Sequence, residues 1–348
     1  MRTRSNSRSF PILLAATAVI VAGCSTRSTS SPDQPKRDSG QRPEAHSIEV
    51  DASVAPPSGT PDGQPVEVSS LTGRIVFSDA TNDVWMVNAD GSGLHRLTSN
   101  PAFDFDPALS PDGAMIAFRS ERDGNTEVYV MHADGSNQRN LSSDGANDWG
   151  PFWSPDGRVV WNCAHGLVTG FRACVANPDG SNRGVLPIDR YVEYPAWSPD
   201  GSKIAFMSQE PGASGSDPDY NVYVADADGT NVRRLTDAPG EDGFPSWSPD
   251  GTKIAFSSTR DDCSNSDALD CQTTGDIGPF ETIYVMNADG TDQHPLSDRY
   301  GMFADWSPNG RFIVFSPGLN VIRLDGTGLA EIPVPGVGGE PEFADWGT

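Results

Sequence analysis

Residues 245–296 begin PSWSPDGTKIAFSS and end ETIYVMNADGTDQHPL, and the reading of this stretch decides the fold. A short segment, Pro245 to Ser248, ends at Pro-Asp-Gly; an apolar one follows, Lys253 to Ser257. A third, Thr282 to Asn287, ends at Ala-Asp-Gly, and a weaker fourth surrounds Pro295 and Leu296. Asp-Gly between short alternating runs signals a hairpin, because Gly accepts positive φ and Asp tolerates it. Ile, Val, Phe and Tyr suit a half-buried pleated surface. The unit is therefore a four-stranded antiparallel meander, with two tight turns at one end and a variable loop at the other.

The unit recurs. LSPDG stands at 109–113, WSPDG at 153–157, 197–201 and 247–251, and WSPNG at 306–310, the starts lying 44, 44, 50 and 59 residues apart. One such sheet cannot bury its own face, so several must stack. Four short strands in roughly 40–45 residues is the size of a propeller blade. Trp153, Trp197, Trp247, Trp306 and Trp346 recur in the first strand, the place that fills the wedge between blades. First strands fall around Leu109 and these five tryptophans. Residues 73–97 supply strands two to four without a first strand, and 342–348 supply a first strand with nothing after it. The expectation is an all-β, six-bladed β-propeller closed by pairing 342–347 with 74–78. Closure also removes the open sheet edges that invite aggregation.

The pattern WSPDGxKIAFxS…IYVMNADGTxxxRLT closely resembles the WD40-like repeats of the TolB-type six-bladed propeller, over about 73–348. TolB carries a folded domain before its propeller, whereas the region before residue 70 here is too short and polar to be one. The resemblance implies a periplasmic setting and, more weakly, a protein partner, since fold transfers better than function.

The N-terminus reads as a signal peptide over 1–23: Arg2, Arg4 and Arg8 precede an apolar core, 11–23, that ends in small residues. Cys24, in VAGC, resembles a bacterial lipoprotein processing box and would be lipidated. Residues 24–69 are Ser- and Pro-rich and are expected to form a disordered tether, and 70–348 the propeller. The expected localisation is exported, lipid-anchored to the cell envelope. Cys163 and Cys174 fall on hairpin partners and are expected to bridge, as are Cys263 and Cys271 within one loop. That usage fits an oxidising compartment, and neither pair has the CxxC spacing of a zinc site.

The formal charge is −24 and the pI about 4.3, which excludes a nucleic-acid-binding surface of the usual kind. The tight turns share one face. The other holds the insertions, Gln209–Asp219 and Thr259–Glu281, together with the loops entering each first strand. Variable loops on a rigid scaffold are where binding concentrates. First strands line a propeller's channel, so Asp104, Asp106, Asp148, Trp149, Glu193, Tyr194, Asp242, Phe244, Phe303, Glu342 and Phe343 are expected to ring the channel mouth, the acids being solvated. Acids and aromatics suit a basic envelope protein or peptide, bound by a monomer.

Catalytic signatures are wanting: there is no GxSxG, HExxH, EF-hand or phosphate loop, and the five His residues are scattered, His95 and His294 holding matching solvated places. No catalytic residue is assigned and no cofactor is expected, though a channel-bound divalent cation such as calcium is left open. The favoured function is a membrane-tethered binding module. The alternative is a divalent-metal-dependent carbohydrate lyase or lactone or ester hydrolase, which would need three or more acid, Asn or His side chains converging in the channel.

Overall fold

The 24 strands of the described residues sort into six four-stranded sheets, each an antiparallel meander. A computed structural model describes residues 64–164, 171–209, 220–260 and 281–348. The signal segment, Cys24, most of the tether, the Cys263–Cys271 pair and most of both insertions lie outside the described residues. Blade 1 holds β1 (Arg74–Ser78), β2 (Val84–Asn88) and β3 (His95–Arg96). Blade 2 holds β4 (Asp104–Leu109), β5 (Met115–Ser120), β6 (Glu127–His132) and β7 (Arg139–Asn140). Blade 3 holds β8 (Asp148–Trp153), β9 (Val159–Cys163), β10 (Arg172–Ala176) and β11 (Gly184–Val185). Blade 4 runs β12 (Glu193–Trp197), β13 (Lys203–Gln209), β14 (Tyr220–Asp226) and β15 (Arg233–Arg234). Blade 5 runs β16 (Asp242–Trp247), β17 (Lys253–Ser258), β18 (Thr282–Asn287) and β19 (His294–Tyr300). Blade 6 holds β20 (Met302–Trp306), β21 (Phe312–Ser316), β22 (Asn320–Arg323) and β23 (Ala330–Glu331).

The last strand, β24 (Glu342–Gly347), closes the ring by joining blade 1 as its innermost strand, in the order β24-β1-β2-β3. Its register sets Arg74 opposite Gly347, Ile75 opposite Trp346 and Val76 opposite Asp345. This is the pairing expected from the two incomplete sequence units.

The tryptophans do the packing expected of them. Trp153 joins Val128 and Val130 of blade 2 to Val159 and Trp161 of blade 3 in one buried cluster, and Leu109 takes the corresponding place between blades 1 and 2. Four of the five indoles also donate backward to a backbone carbonyl: Trp153 to Ala108, Trp247 to Ala196, Trp306 to Ser246 and Trp346 to Thr72, at 2.9–3.2 Å. Those four wedges thus combine large apolar burial with a satisfied N–H. Cys163 and Cys174 form the expected disulfide across β9 and β10, with Cα atoms 5.8 Å apart. His95 and His294 are exposed at the starts of β3 and β19.

The tether boundary at residue 69 needs correction. Val66 is 5% exposed and packs into the cluster shared by blades 6 and 1. Its N–H donates to the Gly328 carbonyl at 2.7 Å, and Arg323 Nη1 donates to the Gln64 carbonyl at 2.8 Å. The ordered body therefore includes residues 64–69, because two valines interrupt the polar composition there and find an apolar seat.

Candidate functional site: the channel and its mouth

Three neighbouring positions recur at the start of every first strand, and the fold sends them to three different places. The third position is Asp106, Gly150, Tyr194, Phe244, Phe303 or Phe343 in blades 2 through 6 and the closing strand. All six have left-handed backbone, with φ of 49°, 60°, 46°, 52°, 55° and 52°. Each sits at a slip in the first-strand ladder, a bulge that turns the side chain inward. Left-handed φ costs a non-glycine residue on the order of 1 kcal/mol or more and survives where the surroundings enforce it, commonly at functional sites. At Gly150 even a Cβ would press on the Tyr194 ring at 3.3 Å.

The four aromatics of this ring pack in sequence. Tyr194 and Phe244 have centroids 4.5 Å apart, Phe244 and Phe303 4.6 Å, and Phe303 and Phe343 3.9 Å. Phe105 continues the arc 6.5 Å from Phe343, and Phe103, 43% exposed, stacks on Phe105 at 5.6 Å. A second aromatic row, Trp149–Phe171–Tyr191–Tyr220, has spacings of 4.1, 5.5 and 6.2 Å.

The second position is Phe105, Trp149, Glu193, Gly243, Met302 or Glu342. Here Trp149 and Glu193 are half-buried and Glu342 is exposed. Burial, opposed by a hydrogen bond from the Tyr191 hydroxyl, raises the Glu193 carboxyl, and burial plus Glu340 raises Glu342. Glu281, at the edge of the described loop, is pushed up to about 7 by burial and by Glu241.

The first position holds the expectation that fails. Asp104, Asp148 and Asp242 are 0–1% exposed. Asp104 accepts from Arg122 Nη2 at 3.1 Å on both oxygens and from Asn100 Nδ2 at 2.7 Å, and Asp242 accepts from Arg260 Nη2 at 2.7 Å and from the Ser258 hydroxyl at 2.5 Å. Each arginine lies over two rings of its own blade, Phe118 and Tyr129 or Phe256 and Tyr284. Its Nη1 donates to Gln138 or Gln293, whose amide donates in turn to the previous blade's Leu97 or Leu235 carbonyl. Asp104 and Asp242 thus lock neighbouring blades together, and none of the three aspartates is solvated at the mouth. The Ser-x-Arg at the ends of β5 and β17, Ser120–Arg122 and Ser258–Arg260, was the signal that could have revealed this. Asp106 is also buried; Arg119 Nη1 lies 4.0 Å away, and desolvation raises the carboxyl despite that charge.

Behind the ring, the residue before each tryptophan or Leu109 forms a second layer: Ala108, Phe152, Ala196, Ser246, Asp305 and Asp345, around a cavity of about 110 Å³. Asp305 accepts from the Ser246 hydroxyl at 2.6 Å and the Trp346 N–H at 2.7 Å, while Asp345 accepts from the Leu109 N–H at 2.8 Å. Both touch the channel yet lie deep among protein atoms. Burial pushes Asp305 up to about 6, and burial plus the Asp305 charge holds Asp345 well above its ordinary value. A raised folded-state pKa means that the native protein holds these protons more tightly than the unfolded chain. That stability is present below about pH 4 and is lost as pH rises through about 6. Asp345→Asn is therefore expected to stabilise the protein by on the order of 1–2 kcal/mol at about pH 7.5 and hardly at all at about pH 4.5, read from paired thermal melts. A variant that melts below wild type at the higher pH would show the pair to be held as charges.

A ring of six blades around an aromatic-mouthed channel defines the class as a six-bladed β-propeller. The TolB beta propeller domain model matches residues 38–212 and, overlapping, 165–324, and the chain belongs to that family. TolB from Acinetobacter baumannii superposes with a TM-score of 0.60 at 21% identity, over 81% of this chain and 68% of that one. A putative TolB from Agrobacterium tumefaciens gives 0.55 at 22%, over 74% and 92%. A chain of a nidogen/laminin complex gives 0.57 at 11%, over 79% and 98%. At these identities the likeness is one of fold.

Proposed function

We propose that this chain is an exported binding module whose channel mouth takes a basic segment of an envelope protein, with Cys24 as its lipid anchor. The observation that carries this reading is the aromatic arc from Phe103 to Tyr194, rimmed by Glu193, Glu281 and Glu342. Clustered rigid aromatics supply buried contact area, and the surrounding carboxylates steer and select cationic side chains. The alternative of a metal-dependent lyase or hydrolase asks for three or more converging ligands in the channel. Among the described residues three acids line the channel, Asp106, Asp305 and Asp345, but they do not form a group whose carboxylate oxygens all lie within 4.8 Å of one another, which favours binding over catalysis. The Cys163–Cys174 bridge supports an oxidising, extracytoplasmic setting.

Display of random peptides on the immobilised full chain tests the proposal. Selected peptides are expected to be rich in Lys and Arg. The double change Glu193→Gln and Glu342→Gln is expected to weaken them by roughly three- to tenfold and to flatten their salt dependence. Selection of neutral or acidic peptides, or equal binding by the glutamine variant, would place the partner elsewhere.

A further inference from the structure

Each buried acid at the blade junctions has an arginine, with one junction excepted. Asp104 has Arg122 and Asp242 has Arg260, each arginine two residues after the second strand's last serine. In blade 3 that strand ends at Cys163 and the residue two further on is His165, outside the described residues. A second series shows the same loss. Asp83 at the start of a third strand pairs with Arg96, and its counterpart Asn221 accepts from Arg234, the arginine standing two residues before a threonine. In blade 2 the counterpart of Asp83 is Glu127, and the place of the arginine is taken by Asn140, which bonds to Asp123 instead.

The two acids deprived of arginine meet each other. Glu127, Asp148 and Asp144, from the β7–β8 connection, each bring a carboxylate oxygen within 4.8 Å of the others. Asp148 is 0% exposed, and both of its oxygens are buried without a hydrogen bond. Ser142 lies beside it, but its single proton goes to Glu127 while its oxygen accepts the Val128 N–H at 2.9 Å, so it has none to offer Asp148. Glu127 also accepts from Asn125 Nδ2 at 2.7 Å and the Gly145 N–H at 3.3 Å, donors that orient the carboxylate without neutralising it. Arg183 pairs with Asp144. Burial and the charges of Asp144 and Glu127 push Asp148 up to about 6.

We propose that Glu127, Asp144 and Asp148 bind a divalent cation of the oxygen-preferring kind, calcium first, which joins blade 2 to blade 3 in place of the missing arginines. The donors are all hard oxygens, which suit such an ion. Glu127 and Asp148 begin regular strands, and the Asp148 N–H donates to the Thr126 carbonyl at 2.8 Å, so two ligands are preorganised. Asp144 lies on an exposed connection, which gives the ion an entry path and room for water ligands.

The test is calorimetric titration and thermal melting of the chelator-treated full chain with calcium chloride. Expected are one site and a rise in melting temperature of several degrees. Asp148→Asn is expected to abolish the response and, without calcium, to melt at or above wild type, because an unpaired buried charge has gone. Asp144→Asn, on the exposed connection, is expected to weaken binding at least tenfold with an unchanged calcium-free melt; it carries the test should the first variant fail to fold. Asp345→Asn is the control for an ion in the channel and is expected to leave the affinity unchanged. Absence of heat and of any melting shift up to about 10 mM calcium, beyond the weakest extracellular sites, overturns the proposal. So does Asp144→Asn binding as tightly as wild type, or Asp345→Asn abolishing the response.

Discussion

A chain lacking residues 342–348 is expected to melt at least about 10 °C below the intact protein. The truncation removes β24 and leaves the inner edge of β1 without a partner. It also removes Trp346, 4% exposed, from a cluster that includes Val314 and Val321 of blade 6 and Ile75 and Phe77 of blade 1. Deleting a buried Trp side chain alone costs roughly 3–5 kcal/mol. For a domain of this size each kcal/mol is worth roughly 2–4 °C. The lost ladder, the bond from the Leu109 N–H to Asp345 and the contact of Arg74 with the Thr348 carbonyl add to that. Trp346→Ala separates the terms: it is expected to cost about 3–5 kcal/mol, and the truncation more. Differential scanning calorimetry reads both. A truncated chain melting within a degree or two of wild type would show that the ring holds without its closing strand.

The second large effect is expected at Arg260. Its side chain is 14% exposed and its partner Asp242 1% exposed. Removing one member of a buried pair strands the other charge and costs roughly 3–5 kcal/mol. Arg260→Ala also forfeits the contacts with the Phe256 and Tyr284 rings and the bond that orients Gln293, whose own amide ties blade 5 to blade 4. The double change Asp242→Asn with Arg260→Met is expected to recover a large part of the loss, because no uncompensated charge remains. The exposed pair Arg158–Asp156 is the comparison, and Arg158→Ala is expected to cost under about 1 kcal/mol. Urea unfolding with a common slope compares the three. Equal stability of Arg260→Ala and Arg158→Ala would mean that water reaches the blade junction.

Blade number, closure and the role of the tryptophans were legible because each rests on a short-range signal. Asp-Gly marks the turn, and a large aromatic at fixed distance from it marks the wedge. The mouth was half legible. The offset from SPDG located the right segment, but neighbouring residues there point to different places, and a bulge breaks the simple alternation. Asp104, Asp106 and Tyr194 therefore looked alike in sequence although one is an interblade lock, one a buried inward acid and one part of the aromatic ring. Asp305 and Asp345 were hidden by their neighbours, since the ADW that contains them reads as a variant of PAW. The carboxylate trio at blades 2 and 3 was invisible for another reason. Its signal is a missing arginine, and an absence shows only when the blades are laid over one another in space.

The way the chain enters the propeller has a mechanical consequence. Gln64 and Val66 are held by Arg323 and Gly328, which flank the Asp-Gly turn between β22 and β23. That turn belongs to the face opposite the aromatic mouth. Any load transmitted along the segment before residue 64 is thus applied at the rear of the ring, beside the seam where first and last strands meet. A pull on residue 64 therefore loads that turn and the closing seam before it reaches the mouth.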